Sequence, residues 1–282
     1  MNFFDTAQRR LKYKEWQDYL WEIEEDEVDL IEHAQVYQLY DFLVRNELYD
    51  DLLAGYTSSG GVKKNASDQV EKTYDLSGND LGIIQPTLAR RPILDLGFIF
   101  PGGSSVTLYN QSTAPYLDNF TQSPFSIFLW LKPFSMGQNG AGHIANLRVN
   151  GGGDGVLFNC RETNCLRATI VSVGGVRSQW STVDNSLTIG EWQFIYLTWN
   201  FPTERALRMY SGPNNELDYQ QTLSHQSAIA NTTNIFMNIG NNHALNRGLH
   251  GDIGDYLFFK TIPTNEQITD LYNLTKWKYE EE

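Results

Sequence analysis

Long apolar runs are missing from this chain. No stretch of about 18 apolar residues occurs in its 282 residues, so no membrane-spanning helix is expected. The opening, MNFFDTAQRRLKYKEW, puts charge where a secretory signal needs its apolar centre. Synthesis in a cytoplasm, or export by another route, is therefore expected. The N-x-S/T sequons at Asn65, Asn110, Asn119, Asn231 and Asn273 are then expected to stay unused. Cysteine is nearly absent, and Cys160 and Cys165 with no nearby His are too few for a zinc site. Four residues between them fit a hairpin loop that sets the two across from each other. That geometry leaves a disulfide open, whereas cytoplasmic synthesis favours two buried thiols.

Positive charge is also scarce. The net charge is −13, with 14 acidic against 5 basic residues in 1–55 and 20 against 16 in 56–282. No basic patch stands out along the chain, which argues against nucleic acid and against anionic membrane surfaces as partners. The common catalytic signatures are missing too: there is no G-x-S-x-G, P-loop, H-E-x-x-H or G-x-G-x-x-G. His33, His143, His225, His243 and His250 are scattered, and His243 with His250 reads as loop. The acidic run Glu22–Glu27 reads as a solvated helix face, because carboxylates spread around a helix do not converge.

What the chain has is 41% hydrophobic residues, 13% aromatic residues and 23 glycines. The stretch organising the rest is Phe125–Pro133, FSIFLWLKP. Phe125, Ile127, Leu129 and Leu131 share one face of an extended strand; Ser126, Phe128, Trp130 and Lys132 share the other. Such a strand suits the inside of a two-sheet sandwich better than an edge. Trp192–Trp199, WQFIYLTW, is a second strand of the same kind. Neither carries the carboxylate pair, about 5–5.5 Å apart, that retaining glycoside hydrolysis needs, and the chain is not expected to be an enzyme.

In chain order, residues 1–55 read as a helical anchoring segment, from Trp16, Leu20, Ile23, Leu30, Ala34, Tyr37 and Leu48 at helical spacing. Residues 56–73, which take in most of the Gly-, Ser- and Lys-rich GYTSSGGVKKNASDQ at 55–69, read as a linker. Residues 74–275 read as one β-domain. Its expected strands are Pro92–Phe100, Ser105–Tyr109, Phe125–Lys132, His143–Val149, Gly155–Cys160, Cys165–Val173, Val176–Ser181, Trp192–Trp199, Ala206–Ser211, Asn234–Gly240 and Asp252–Lys260. A short amphipathic helix follows Pro263, with Thr264 as cap and Gln267 three residues on. Residues 276–282 read as a charged, frayed tail. The fold class is mainly β: a sandwich with an N-terminal helical segment and a short C-terminal helix.

The order of these pieces resembles the laminin-G-like, concanavalin A-like jelly roll. The residues that carry the likeness are DLSGN at 75–79, FSIFLWLKP at 125–133 and the closing GDIGDYLFFKTIPTNEQITDLY at 251–272. Gly254 stands where that family usually has Asp, with Asp255 one place later, and Phe100-Pro101-Gly102 replaces the usual F-D-G. The resemblance implies a Ca²⁺ site, with Asp75, Asn79, Asp252 and Asp255 as the positions to watch. Calcium takes about 6–8 oxygen ligands, of the kind such turns supply. The lead-in FLVRNELYDDLLAGY before the Gly-rich loop resembles bacteriophage virion proteins, tail- or capsid-associated. That resemblance implies a structural protein held to other virion proteins through residues 1–55, oligomeric, and displaying its jelly roll to cell-surface polysaccharide. The alternative is a free lectin-like module, with Tyr116, Phe134 or Trp180 stacking on sugar rings.

Overall fold

The structure is a computed structural model. It describes residues 14–21, 23–24, 33–102, 105–110, 113–149, 154–172, 176–204, 206–223 and 233–280. Most of the acidic run at 22–27, His225 and Asn231 lie outside these residues.

Two antiparallel sheets face each other. The smaller has the strand order Leu207–Ser211, Gln193–Trp199, Phe125–Ser135, His250–Phe259, Phe98–Pro101, Ile93–Leu94, with Leu52–Tyr56 also pairing to His250–Phe259. The larger has ten strands: Tyr219–Leu223, Val176–Thr182, Cys165–Ser172, Gly155–Arg161, His143–Val149, Ile235–Ile239, Leu108–Tyr109, Ile83–Ile84, Val70–Thr73 and Val62–Lys64. Phe125–Ser135 and His250–Phe259 lie side by side in the middle of the smaller sheet.

Period-two alternation decides what each strand buries. Phe125, Ile127, Leu129 and Leu131 point between the sheets, where they meet Leu147, Phe158, Leu166, Ile170 and Met237 of the larger one. Phe128 and Trp130 point the other way, into a second apolar cluster with Phe194, Tyr196, Leu257 and Phe259. Helices cover that second cluster. Val36, Leu39, Tyr40 and Leu43 of the helix His33–Arg45 sit on one stripe and are buried there, as are Trp16, Tyr19 and Ile23 from the helical residues before it.

The C-terminal helix Asn265–Thr275 lies in the same layer. Its capping box is complete: Thr264 Oγ1 accepts from Gln267 N, and Gln267 Oε1 accepts from Thr264 N. Thr275 Oγ1 accepts a 2.9 Å hydrogen bond from Trp130 Nε1, tying the helix to the central strand.

Three expectations need correction. The first helical segment does not run to 55: the helix ends at Arg45, a 3₁₀ turn spans Tyr49–Asp51 and a strand begins at Leu52. The stretch 56–73 is not a bare linker, because it carries the strands Val62–Lys64 and Val70–Thr73 of the larger sheet. The tail is not frayed at its start: Tyr279 is buried, its ring centroid 4.7 Å from those of both Trp130 and Trp192.

The two cysteines flank a tight hairpin, but Cys160 pairs with Leu166 and Cys165 with Arg161. Successive residues alternate faces, so the thiols point apart and both are free. Burial pushes the Cys160 thiol up to about 12, so it stays protonated.

Candidate functional site

The calcium positions come first. Asp75 and Asn79 do share a turn, but the protein's own donors fill it. Asp75 Oδ1 accepts from Gly55 N at 2.9 Å and Ser77 N at 3.0 Å; Oδ2 accepts from Ser77 Oγ at 2.6 Å and Leu81 N at 3.1 Å. Burial raises the Asp75 pKa, and these hydrogen bonds oppose the rise. Asn79 Nδ2 donates to the carbonyls of Leu52 and Leu53. The DLSGN turn thus acts as a clasp on the strand Leu52–Tyr56.

Asp252 and Asp255 sit on the strand His250–Phe259. Asp255 Oδ1 lies 3.8 Å from Lys278 Nζ, and that ammonium donates to Ser58 Oγ and Ser59 Oγ at 2.7 and 2.5 Å. A bulge between Ile253 and Tyr256 absorbs the shifted Asp, and glycine at 254 leaves room for the Tyr279 hydroxyl, which accepts from Asp255 N at 2.9 Å. Among the described residues no three His, Cys, Asp or Glu side chains gather as a metal site would require.

The cleft beside Lys278, lined by Gln35, Gln38, Asp255 and Trp277, holds about 20 Å³. That is room for a water-sized group and too little for a sugar ring. The proposed stacking aromatics are mostly taken up by packing. Trp180 is buried edge-on against Trp199 at 5.7 Å, Tyr116 packs on the core, and Phe134 alone is over a third exposed.

The outer face of the larger sheet carries the remaining polar candidates, and much of it is buried: His143, Asn146, Asn159, Thr169, Val171, Ser181 and Asn238 are each 9% exposed or less. Its strands send Val156, Phe158, Leu166, Ala168 and Ile170 inward, so their alternate residues form this face. Strand register then fixes the rows, because paired residues share a face. One row reads Asn238, Asn146, Leu157, Thr169. Beside it runs His143, Asn159, Arg167, Ser181. On the other side runs Phe236, Arg148, Gly155, Val171, Arg177. Arg161 stands at the hairpin end, paired with Cys165. Arg247 lies close by, its backbone carbonyl accepting from His143 N at 2.9 Å.

This corrects the expectation that the chain has no basic patch. Arg148, Arg161, Arg167 and Arg177 sit on four different strands that pairing brings together, and Arg247 lies beside His143. Arg45, Lys64, Arg91, Arg208, Lys260 and Lys278, which form ion pairs, lie elsewhere. Among the described residues Arg161, Arg167, Arg177 and Arg247 make no ion pair.

Three buried polar atoms on this face lack a hydrogen-bond partner among the described residues: His143 Nδ1, Asn146 Oδ1 and Arg161 Nε. An unsatisfied buried polar group costs about 1–3 kcal/mol, so three on one face call for a reason. Burial is the main cause that lowers the His143 pKa to about 4, with the positive charges of Arg247, Arg148 and Arg161 adding to it. The ring is neutral at pH 7. Crowding among the arginines acts the same way on Arg148 and Arg167, whose pKa values are lowered first by burial and then by a neighbouring arginine.

A family model described as the concanavalin A-like lectin/glucanases superfamily, Laminin_G_3, matches residues 102–269. No curated protein matches the chain. Among solved structures, the botulinum neurotoxin serotype D binding domain superposes with a TM-score of 0.57 at 17% identity, over 82% of this chain and 53% of that one. The serotype D ligand binding domain in complex with N-acetylneuraminic acid gives 0.53 at 14%, over 80% and 52%. The binding domain of Paraclostridial Mosquitocidal Protein 1 gives 0.53 at 14%, over 80% and 52%. This chain spans about half the length of those domains, and the likeness is one of fold.

Proposed function

The chain belongs to the concanavalin A-like lectin/glucanases superfamily, and from that premise we propose that it is a non-catalytic carbohydrate-binding module whose ligand lies at the outer face of the larger sheet. The observation that carries this is the set of unpartnered polar atoms, His143 Nδ1, Asn146 Oδ1 and Arg161 Nε, on that face. A sugar presents hydroxyls that both donate and accept, and those atoms are the missing partners. The neurotoxin ligand binding domain that shares this fold is described in complex with a sugar, N-acetylneuraminic acid, which supports the reading by analogy of fold.

A binding role is favoured over hydrolysis by what lines the face. The rows through Asn146, His143 and Arg148 hold no carboxylate among the described residues. Glycosidic cleavage needs two, about 5–9.5 Å apart.

The test is a glycan array probed with the full chain, followed by calorimetry on the best hit. Binding that weakens at least about tenfold in Asn146→Ala, with the sugar recovered intact, supports the reading. A hydrolysed sugar, or no glycan bound at all, overturns it.

Attachment to a phage particle is a finer reading. It rests on the resemblance of the helical lead-in, and the exposed Trp21, Tyr37 and Trp277 of the helical layer are the surface it would use. Co-sedimentation of the full chain with particles, lost in Trp21→Ala/Trp277→Ala, would support it; a chain that never enters particles would overturn it.

A further inference from the structure

We infer that Lys278 and Asp255 condense into a side-chain amide, a covalent link that ties the turn Lys276–Lys278 to the strand His250–Phe259. The link stands apart from the carbohydrate reading and holds or fails without it.

The pair is built unlike an ordinary ion pair. Lys278 and Asp255 have side chains only 10% and 9% exposed, yet Nζ stands 3.8 Å from Oδ1. Arg91–Glu71, next to it in burial among the described ion pairs, closes to 2.6 Å. Asp255 Oδ1 is buried and takes no hydrogen bond among the described residues. A buried ion pair offsets its desolvation only with close geometry and further hydrogen bonds. An amide removes both charges from the interior.

The surroundings suit the reaction. Lys278 Nζ donates to Ser58 Oγ at 2.7 Å and to Ser59 Oγ at 2.5 Å. Ser58 Oγ gives its own proton to Leu96 O at 2.6 Å, so its lone pairs face the amine. Two donated hydrogen bonds are what a neutral amine makes, and its lone pair then serves the carboxyl carbon. The Tyr279 hydroxyl lies against the same residue, accepting from Asp255 N at 2.9 Å. Burial first, then the Asp255 charge, holds the Tyr279 pKa well above the usual tyrosine value. The hydroxyl thus keeps its proton and can donate it to a carboxyl oxygen, drawing charge from the carbon under attack. The cleft of about 20 Å³ is lined by both Asp255 and Lys278, so the water released has a place to go.

The steps balance with no oxidant and no co-reactant. One proton passes from the Lys278 ammonium to the Asp255 carboxylate, leaving an amine and a carboxylic acid. Nζ bonds to Cγ. The bond from Cγ to the hydroxyl breaks, and the hydroxyl leaves with an amine proton as water. Holding the two groups together supplies the proximity that a free amine and acid lack.

The experiment is the intact mass of the full chain, purified folded and then denatured, beside Lys278→Met and Asp255→Ala. The native chain is expected to weigh about 18 Da less than its sequence, the mass of one water, while both variants keep the masses of theirs. Comparing the three cancels any processing of the chain ends. A protease digest of the native chain is expected to contain a branched peptide joining the Asp255 and Lys278 segments. Tyr279→Phe keeps the ring and is expected to leave most chains at full mass soon after synthesis, although near-UV circular dichroism shows them folded.

A native chain of full mass after prolonged incubation in the folded state would overturn the inference. So would a loss of water that persists in Lys278→Met, because it would come from another site. A Tyr279→Phe chain that links as fast as the native one would overturn the part given to the hydroxyl.

Discussion

The two outer faces of this sandwich differ in what they bury. Behind the smaller sheet, Phe128, Trp130, Phe194 and Phe259 are sealed under helices, and Trp130 Nε1 is satisfied by Thr275. Behind the larger sheet, no described helix lies over the strands, and His143, Asn146 and Arg161 keep polar atoms without partners. One face spends its side chains on packing. The other buries more polar groups, at a cost in stability, although the sealed layer too leaves Trp192 Nε1 without a hydrogen-bond partner among the described residues.

The largest expected effect comes from stripping the sealed face. A chain starting at Tyr49 loses the buried side chains Trp16, Tyr19, Ile23, Val36, Leu39, Tyr40 and Leu43. Each contributes about 1.5–3 kcal/mol when buried. Together they match or exceed the roughly 5–15 kcal/mol that holds a typical domain folded. The shortened chain is expected to be molten or aggregated by near-UV circular dichroism and gel filtration. A monomer melting like the full chain would make the helices an appendage and end the contrast between the faces.

How much of this could be read from sequence follows the same division. FSIFLWLKP announced both of its buried faces, because alternation survives in one long strand, and Thr264 with Gln267 announced the last helix. The strand Leu52–Tyr56 was hidden. Its residues, LLAGY, continue the apolar run of the preceding helix, and the chain reverses at Glu47 with φ 58°, a left-handed turn unmarked by glycine or proline. The strands Val62–Lys64, Val70–Thr73 and Ile83–Ile84 are too short for periodicity to show. The arginine face was hidden for a deeper reason. Arg148, Arg161, Arg167 and Arg177 sit on four different strands, and only register puts them together. Hairpin spacing around Cys160 and Cys165 already implied that Arg161 and Arg167 lie on adjacent strands, and that was the one signal available.

A smaller effect tests the burial of the larger sheet's outer face by pH. With a folded pKa of about 4 against an ordinary 6.5, His143 contributes fully above about pH 6.5, where it is neutral in both states. As pH falls towards 4 the unfolded chain takes up a proton that the folded chain refuses. Stability should drop by roughly 3 kcal/mol across that window. Urea midpoints for the native chain and His143→Gln, measured from pH 7 to 4, should diverge by that amount, with the variant flatter. Parallel curves would mean His143 charges freely in the folded state and is open to water.

The smallest change in stability carries the most information. Asn146 is 4% exposed and its Oδ1 lacks a hydrogen-bond partner among the described residues, in a row between Asn238 and Leu157. Asn146→Leu keeps the volume and removes the unmet amide, so unfolding free energy should stay within about 1 kcal/mol of the native chain or rise. Sugar binding should be lost in the same variant. A residue that serves the fold cannot separate these two readouts, since destabilisation and loss of binding would travel together. If the leucine costs more than about 2 kcal/mol, the amide is a structural hydrogen-bonding group like Asp75 in its turn, and the outer face of the larger sheet is built by the same rule as the sealed one.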